Sequence, residues 1–145
     1  MNKLILIIIV LAAIIIVLAG FLVWPAPAQS PVVQQPPPAD IEVFNVKAND
    51  KVSSPLKITG VVRGNGWSGF EGQVGTVHVM DASNNELAVG ILTATTDWMQ
   101  LPTNFEVTVN FTAVAGSTGS LVFKNENPSG DPVRDKTFIL PVIFN

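Results

Sequence analysis

The side chains able to do chemistry are few: the chain has one histidine, His78, and no cysteine. His78 stands between Val77 and Val79 in an alternating run, so the period-two geometry of a strand turns it to the face opposite the valines, toward solvent. A zinc site wants three or four converging ligands, and none is spaced for it here. Nucleophilic catalysis needs a hydroxyl or thiol, a base and an orienting acid. Serines are plentiful, but no acidic partner for His78 is evident and no nucleophile elbow occurs. Without cysteine there is no thiolate metal site, disulfide, redox pair or lipidated N-terminal cysteine. These absences predict a protein that is not an enzyme and takes no cofactor or metal.

Two acidic groups are spaced for calcium only loosely: Asp81 with Glu86, and Glu126 with Asp131 and Asp135. Neither follows an EF-hand loop, and both lie among turn-forming residues, where carboxylates ordinarily bond nearby backbone N–H groups. Asn110-Phe111-Thr112 spells a glycosylation acceptor, but its expected place is mid-strand, so it is read as coincidence. Eight Lys and Arg against eleven Asp and Glu give a net charge of −3, with no basic stripe to neutralise phosphates, so nucleic acid is not an expected partner.

The most informative segment is Gly-Asn-Gly-Trp-Ser-Gly-Phe at residues 64–70, where small residues bracket two large aromatics between predicted strands. Loops at the end of a sandwich commonly bind partners, and Trp is a frequent interface anchor. Trp67, Phe70 and Asn65 are the candidate partner-binding residues. The opposing reading folds both rings back over the open end of the core, and exposure decides between them.

These residues must be carried by strands. After Asp40 the apolar period becomes two, with Gly, Asn, Asp, Ser and Pro between runs, which predicts strands at 41–46, 56–63, 73–81, 86–95, 105–112, 119–125 and 137–144. Seven short strands without a helix predict an all-β, immunoglobulin-like antiparallel sandwich over residues 40–145. Phe105, Val107, Val109 and Phe111 fall on one face of the clearest strand, with Glu106, Thr108, Asn110 and Thr112 on the other. The last strand is apolar on both parities and contains Pro141, which lacks a ladder donor, so an edge or bulge position is expected for it. Turn formers gather at 81–86 and at 127–131.

Ahead of the sandwich, residues 4–24 carry no charge and would span about 31 Å as a helix, the thickness of a bilayer's hydrocarbon core. Residues 1–24 are therefore expected to be a single transmembrane anchor. Lys3 and the terminal amine stay cytoplasmic, and Trp24 sits at the headgroup level. The rival is a cleaved signal peptide ending at Ala26-Pro27-Ala28, although the apolar run exceeds a usual signal core. Either way the domain is exported. Residues 25–39 hold six of the eleven prolines and lack the apolar side chains to offset ordering entropy, so a polyproline-rich stalk is expected rather than a PxxP ligand.

Four stretches resemble the immunoglobulin-like domain of bacterial spore germination: residues 52–60 (Val-Ser-Ser-Pro-Leu-Lys-Ile-Thr-Gly), 67–71, 90–99 with Asp97-Trp98-Met99, and Asn127-Pro-Ser-Gly130 followed by Leu140-Pro-Val142. The resemblance implies an extracytoplasmic bacterial sandwich, often attached to a membrane anchor or to other envelope domains, with a role in binding or assembly and no catalytic residues to carry over. Gly60 and Gly130 suit close approach or a positive φ, Pro55 suits a strand start, and Trp98 is expected as a core residue or sandwich-end plug. The expected function is a non-catalytic interaction module of the cell envelope that meets another envelope protein or a wall polymer. The alternative is a structural protein that self-associates through an edge strand.

Overall fold

The computed structural model describes residues 39–145, and Asn2. The expected anchor, residues 1–24, and stalk, residues 25–39, lie outside the described residues apart from Asn2 and Ala39. No helix among the described residues is long and apolar enough to cross a membrane.

Eight strands are present: β1 (Ile41–Val43), β2 (Asp50–Val52), β3 (Leu56–Val62), β4 (Gln73–Asp81), β5 (Glu86–Ala94), β6 (Thr103–Val109), β7 (Thr118–Asn125) and β8 (Thr137–Phe144). A single 3-10 turn, Pro132–Arg134, precedes β8. The strands form one continuous sheet in the order β1-β3-β6-β5-β4-β7-β8-β2. The expected two sheets are thus halves of one curled sheet. β1, β3 and β6 make one half, and β5, β4, β7, β8 and β2 the other. The seam is short, because β5 pairs with β6 only at Thr93 with Glu106 and Ala94 with Phe105. The all-β, immunoglobulin-like reading is consistent with this arrangement.

Alternation builds the core. Ile58, Val62, Phe105, Val107 and Val109 from the first half meet Val77, Val79, Leu92, Leu121, Phe123 and Phe144 from the second in one buried cluster. Gly60 is required by close approach, since a Cβ there would stand 2.3 Å from the Glu42 carbonyl oxygen and 2.5 Å from Cζ of Phe105.

Several strand boundaries differ from the sequence reading for identifiable reasons. β1 stops at Val43 because the Asn45 side chain takes over its bonds to β3, donating to the Lys57 carbonyl at 2.7 Å and accepting from Thr59 N–H at 2.9 Å. The chain then crosses to the other half and returns as β2, which runs parallel to β8 and shows too few apolar residues to be seen by pattern. β6 begins two residues early, at Thr103, whose buried hydroxyl donates to the Gln100 carbonyl at 3.0 Å. It ends at Val109, so Asn110, Phe111 and Thr112 follow the strand rather than lie in its middle.

β8 is not an edge strand: it lies between β7 and β2. Pro141 is tolerated there because its nitrogen faces a point that the β2 ladder has not reached. The Pro141 carbonyl accepts from Asn49 N–H, while the Lys47 carbonyl, the acceptor a parallel ladder would offer at that point, receives Asp50 N–H instead.

Candidate interaction surface

Strand directions gather three loops, residues 63–72, 95–102 and 126–136, at the end of the sheet where β1 begins. In the first loop Trp67 is 2% exposed and belongs to the core, whereas Phe70 is 41% exposed. The two aromatics expected to act together are therefore separated, and Trp67 is corrected from a partner-binding candidate to a core residue. Phe70 is held out by a tight turn. Its N–H and carbonyl both bond Gln73, at 2.8 and 2.9 Å, across Glu71 and Gly72, which have φ of 50° and 83°. Gly69 permits the loop to lie on Trp98, since a Cβ there would stand 2.4 Å from the Trp98 carbonyl oxygen. Trp98 is half-buried, a lid on the loop rather than a core residue.

Asn65 is exposed but committed, its Nδ2 donating to Oδ1 of Asp40 at 2.7 Å. The residue that joins the loops is one that sequence reading passed over. The Asn125 side chain donates to the carbonyls of Gly66 and Arg134, at 2.7 and 3.0 Å, and accepts Lys136 N–H at 2.8 Å. Beside it lies an open polar cleft lined by Asn65, Ser68, Asn127, Ser129, Arg134 and Lys136. No pattern marked Asn125 beforehand, because an Asn ending a strand is ordinary.

The carboxylates considered for calcium act as turn acceptors. Asp81 accepts from the backbone N–H groups of Ser83 and Asn85 and from the Asn85 side chain, each at 2.8 Å. The Asn85 side-chain bond, followed by its backbone bond, holds the Asp81 carboxyl below its ordinary value of 3.8. Asp131 caps the 3-10 turn through Val133 N–H, and Asp135 accepts from Asn127 Nδ2 at 2.7 Å. Among the described residues no three metal-binding side chains gather.

Glu86 is instead the partner of His78, correcting the reading that gave this histidine none. Nδ1 of His78 lies 2.6 Å from Oε2 of Glu86, and Nε2 lies 3.1 Å from the Thr76 hydroxyl. A carboxylate only accepts, so Nδ1 carries the proton. Hydroxyl, imidazole and carboxylate follow one another as in a hydrolase triad, yet the geometry around them does not support acyl transfer. The three lie on the outer face of a sheet, and β4 is paired on both sides, by Thr76 with Ile91 and with Lys124. At Thr76 the β4 backbone is spent in the ladders and offers no N–H to an oxyanion there. The side chain of His78 is 18% exposed, turned outward as expected but largely covered by its neighbours.

Those neighbours define the more extensive feature. Register places Val89 of β5 beside His78 of β4, His78 beside Val122 of β7, and Val122 beside Ile139 of β8, all on the outer face. Val89 is 54% exposed and Ile139 59%, and Ile91, next along β5, is 49% exposed. His78 and Val122 are half-buried between the two exposed ends of the row. Its sequence signal was the double apolar parity of the last strand. That parity marks a strand whose second face is a surface, where an edge position was expected.

In comparison with known proteins, the sequence model described as the immunoglobulin-like domain of bacterial spore germination matches residues 40–131, more than half of the chain. The Leu140-Pro-Val142 stretch lies beyond the matched residues. No curated protein and no solved structure matches the chain.

Proposed function

The chain belongs to the family of immunoglobulin-like domains of bacterial spore germination, and on that premise we propose that it is a non-catalytic interaction module, anchored in the cell membrane and displayed on its outer side. The observation that carries this reading is the row Val89, His78, Val122 and Ile139 across four strands of the outer face, in which three apolar side chains flank a histidine and those at both ends are exposed. A soluble surface scatters its exposed apolar side chains singly, whereas a strip of them rimmed by Thr76, Lys124 and Thr137 is the composition of a recognition patch.

The uncharged residues 4–24 and the proline-rich residues 25–39 support the anchoring, with Lys3 on the cytoplasmic side. The partner is an envelope protein or a wall polymer. A non-catalytic role is favoured by the setting of Thr76, His78 and Glu86 on a strand paired on both sides, whose backbone at Thr76 offers no oxyanion donor.

The test places a charge in the strip. Ile139→Lys, made in the tagged full-length chain, is expected to lower co-isolation of envelope material at least about fivefold while leaving the fold intact, since this side chain points to solvent. Unchanged co-isolation would contradict the reading.

A further inference from the structure

The loops at the end of the sheet where β1 begins expose a second apolar patch, separate from the outer strip. Met99 is 73% exposed, Leu101 47% and Phe70 41%, and Trp98 is half-buried. These side chains share one patch because the two loops that carry them are packed together. A Cβ on Gly64 would stand 3.5 Å from Leu101 Cδ1, and one on Gly69, next to Phe70, would stand 2.8 Å from Trp98 Cβ. The second loop is pinned from within. The Asp97 carboxylate accepts Met99 N–H at 3.0 Å, and the Thr103 hydroxyl donates to the Gln100 carbonyl at 3.0 Å. Residues 98–102, Trp-Met-Gln-Leu-Pro, thus form an uncharged projection.

The chain enters the domain beside this patch. The Asp40 carbonyl accepts Arg63 N–H at 2.8 Å and its carboxylate accepts Asn65 Nδ2 at 2.7 Å, so it is tied to the two residues that flank Gly64. Only residues 25–39 separate this point from the uncharged run 4–24. At no more than about 3.6 Å each, they span at most about 54 Å.

We propose that this tip enters the lipid surface on which the module is displayed, with Met99, Leu101 and Phe70 inserting among the acyl chains and Trp98 resting at headgroup level. The inference rests on the membrane anchoring proposed above and is independent of what the outer strip recognises. Three observations select lipid as the occupant. The patch lies where the tether joins, and a short tether raises the effective concentration of the surface to about the millimolar range, so weak insertion by three side chains suffices. The apolar side chains project from turns, a shape that enters a fluid layer without needing a matching pocket. The third is charge. The two loops carry Arg63, Glu71 and Asp97, and Arg63 is already paired with Glu42 at 2.8 Å. Nothing there draws anionic headgroups, so insertion depends on apolar area and proceeds on neutral lipid whatever the salt.

The chain has no cysteine of its own, so one introduced thiol carries the only label. The full-length chain with Met99→Cys or, at the opposite end of the sheet, Val114→Cys is labelled with a fluorophore. Each is reconstituted in phosphatidylcholine vesicles that include lipid bearing a nitroxide on its upper acyl chain. Quenching at position 99 is expected to exceed that at position 114 at least about threefold and to persist in about 1 M salt. Adding Phe70→Ser and Leu101→Ser to the Met99→Cys chain is expected to lower quenching to the level at position 114; both side chains are exposed, so the fold is retained. Vesicle flotation reads the anchor separately. A chain that fails to float with the vesicles overturns the anchoring, and this inference with it. A chain that floats yet is quenched equally at both positions, loses its quenching in salt, or ignores the serine substitutions overturns the inference alone.

Discussion

Asn125 donates its side-chain amide to the Gly66 carbonyl at 2.7 Å, tying the loop before β4 to the loop after β7. With its bonds to Arg134 and Lys136, one half-buried side chain fixes both walls of the polar cleft.

Asn125→Ala is therefore expected to lower stability by about 1–2 kcal/mol, the net worth of a few hydrogen bonds that water partly replaces. Hydrogen exchange should show the loss locally, as faster exchange in residues 64–70 and 126–136 than elsewhere. Urea unfolding and exchange mass spectrometry check the two parts.

Trp67 and Phe70 should respond very differently to truncation. Trp67→Ala removes a ring that is 2% exposed and leaves a cavity, an expected cost of about 3–5 kcal/mol. Phe70→Ala, at 41% exposure, is expected to cost under about 1 kcal/mol. Equal losses in urea unfolding would contradict the division of this loop into a core half and a surface half.

Gly60→Ala tests the close crossing of β1 and β3 over Phe105. The added methyl meets backbone at Glu42 as well as a ring, and backbone cannot swing aside, so a loss of at least about 1–3 kcal/mol is expected in the same assay.

Asp81 supplies a pH dependence. Its folded-state pKa is depressed below 3.8 by the Asn85 side chain first. Its stabilising effect is present above the unfolded-state value and is lost as pH falls through the depressed folded value. Asp81→Asn should therefore be less stable than wild type near about pH 6, and the gap should narrow as pH drops below about 4. Unfolding curves at the two pH values check the sign.

Much of this fold was legible because alternation is a strong signal where one face is buried. The limits of β4 follow from it directly, and so does the division of β6 into inward Phe105, Val107 and Val109 and outward Glu106 and Thr108. β2 was hidden, since Asp50 and Lys51 look like loop and only Val52 turns inward. The end of β1 depended on a side chain imitating backbone, which no pattern shows. Candidate-site residues fared less well. Phe70 is exposed, but Trp67 was claimed by the core, and the pairing of His78 with Glu86 needed the hairpin register to bring residues eight apart into contact. The outer strip was present in the sequence as the second apolar parity of the last strand, and the proline beside it suggested an edge position.

Placement across the membrane is open to a direct check. On the proposed topology, with Lys3 on the cytoplasmic side, protease added outside intact cells with permeable outer layers is expected to degrade the C-terminal domain. Survival of the domain in intact cells, with loss on lysis, would place it in the cytoplasm.

The central claim is that the outer face of β5, β4, β7 and β8 is where the module meets its partner. A photo-crosslinking amino acid at Ile139, compared with one at Val114 at the opposite end of the sheet, reads this in living cells. The account predicts a discrete adduct with an envelope component from position 139 and none from position 114. Adducts of the same kind and yield from both positions, or from position 114 alone, would contradict it.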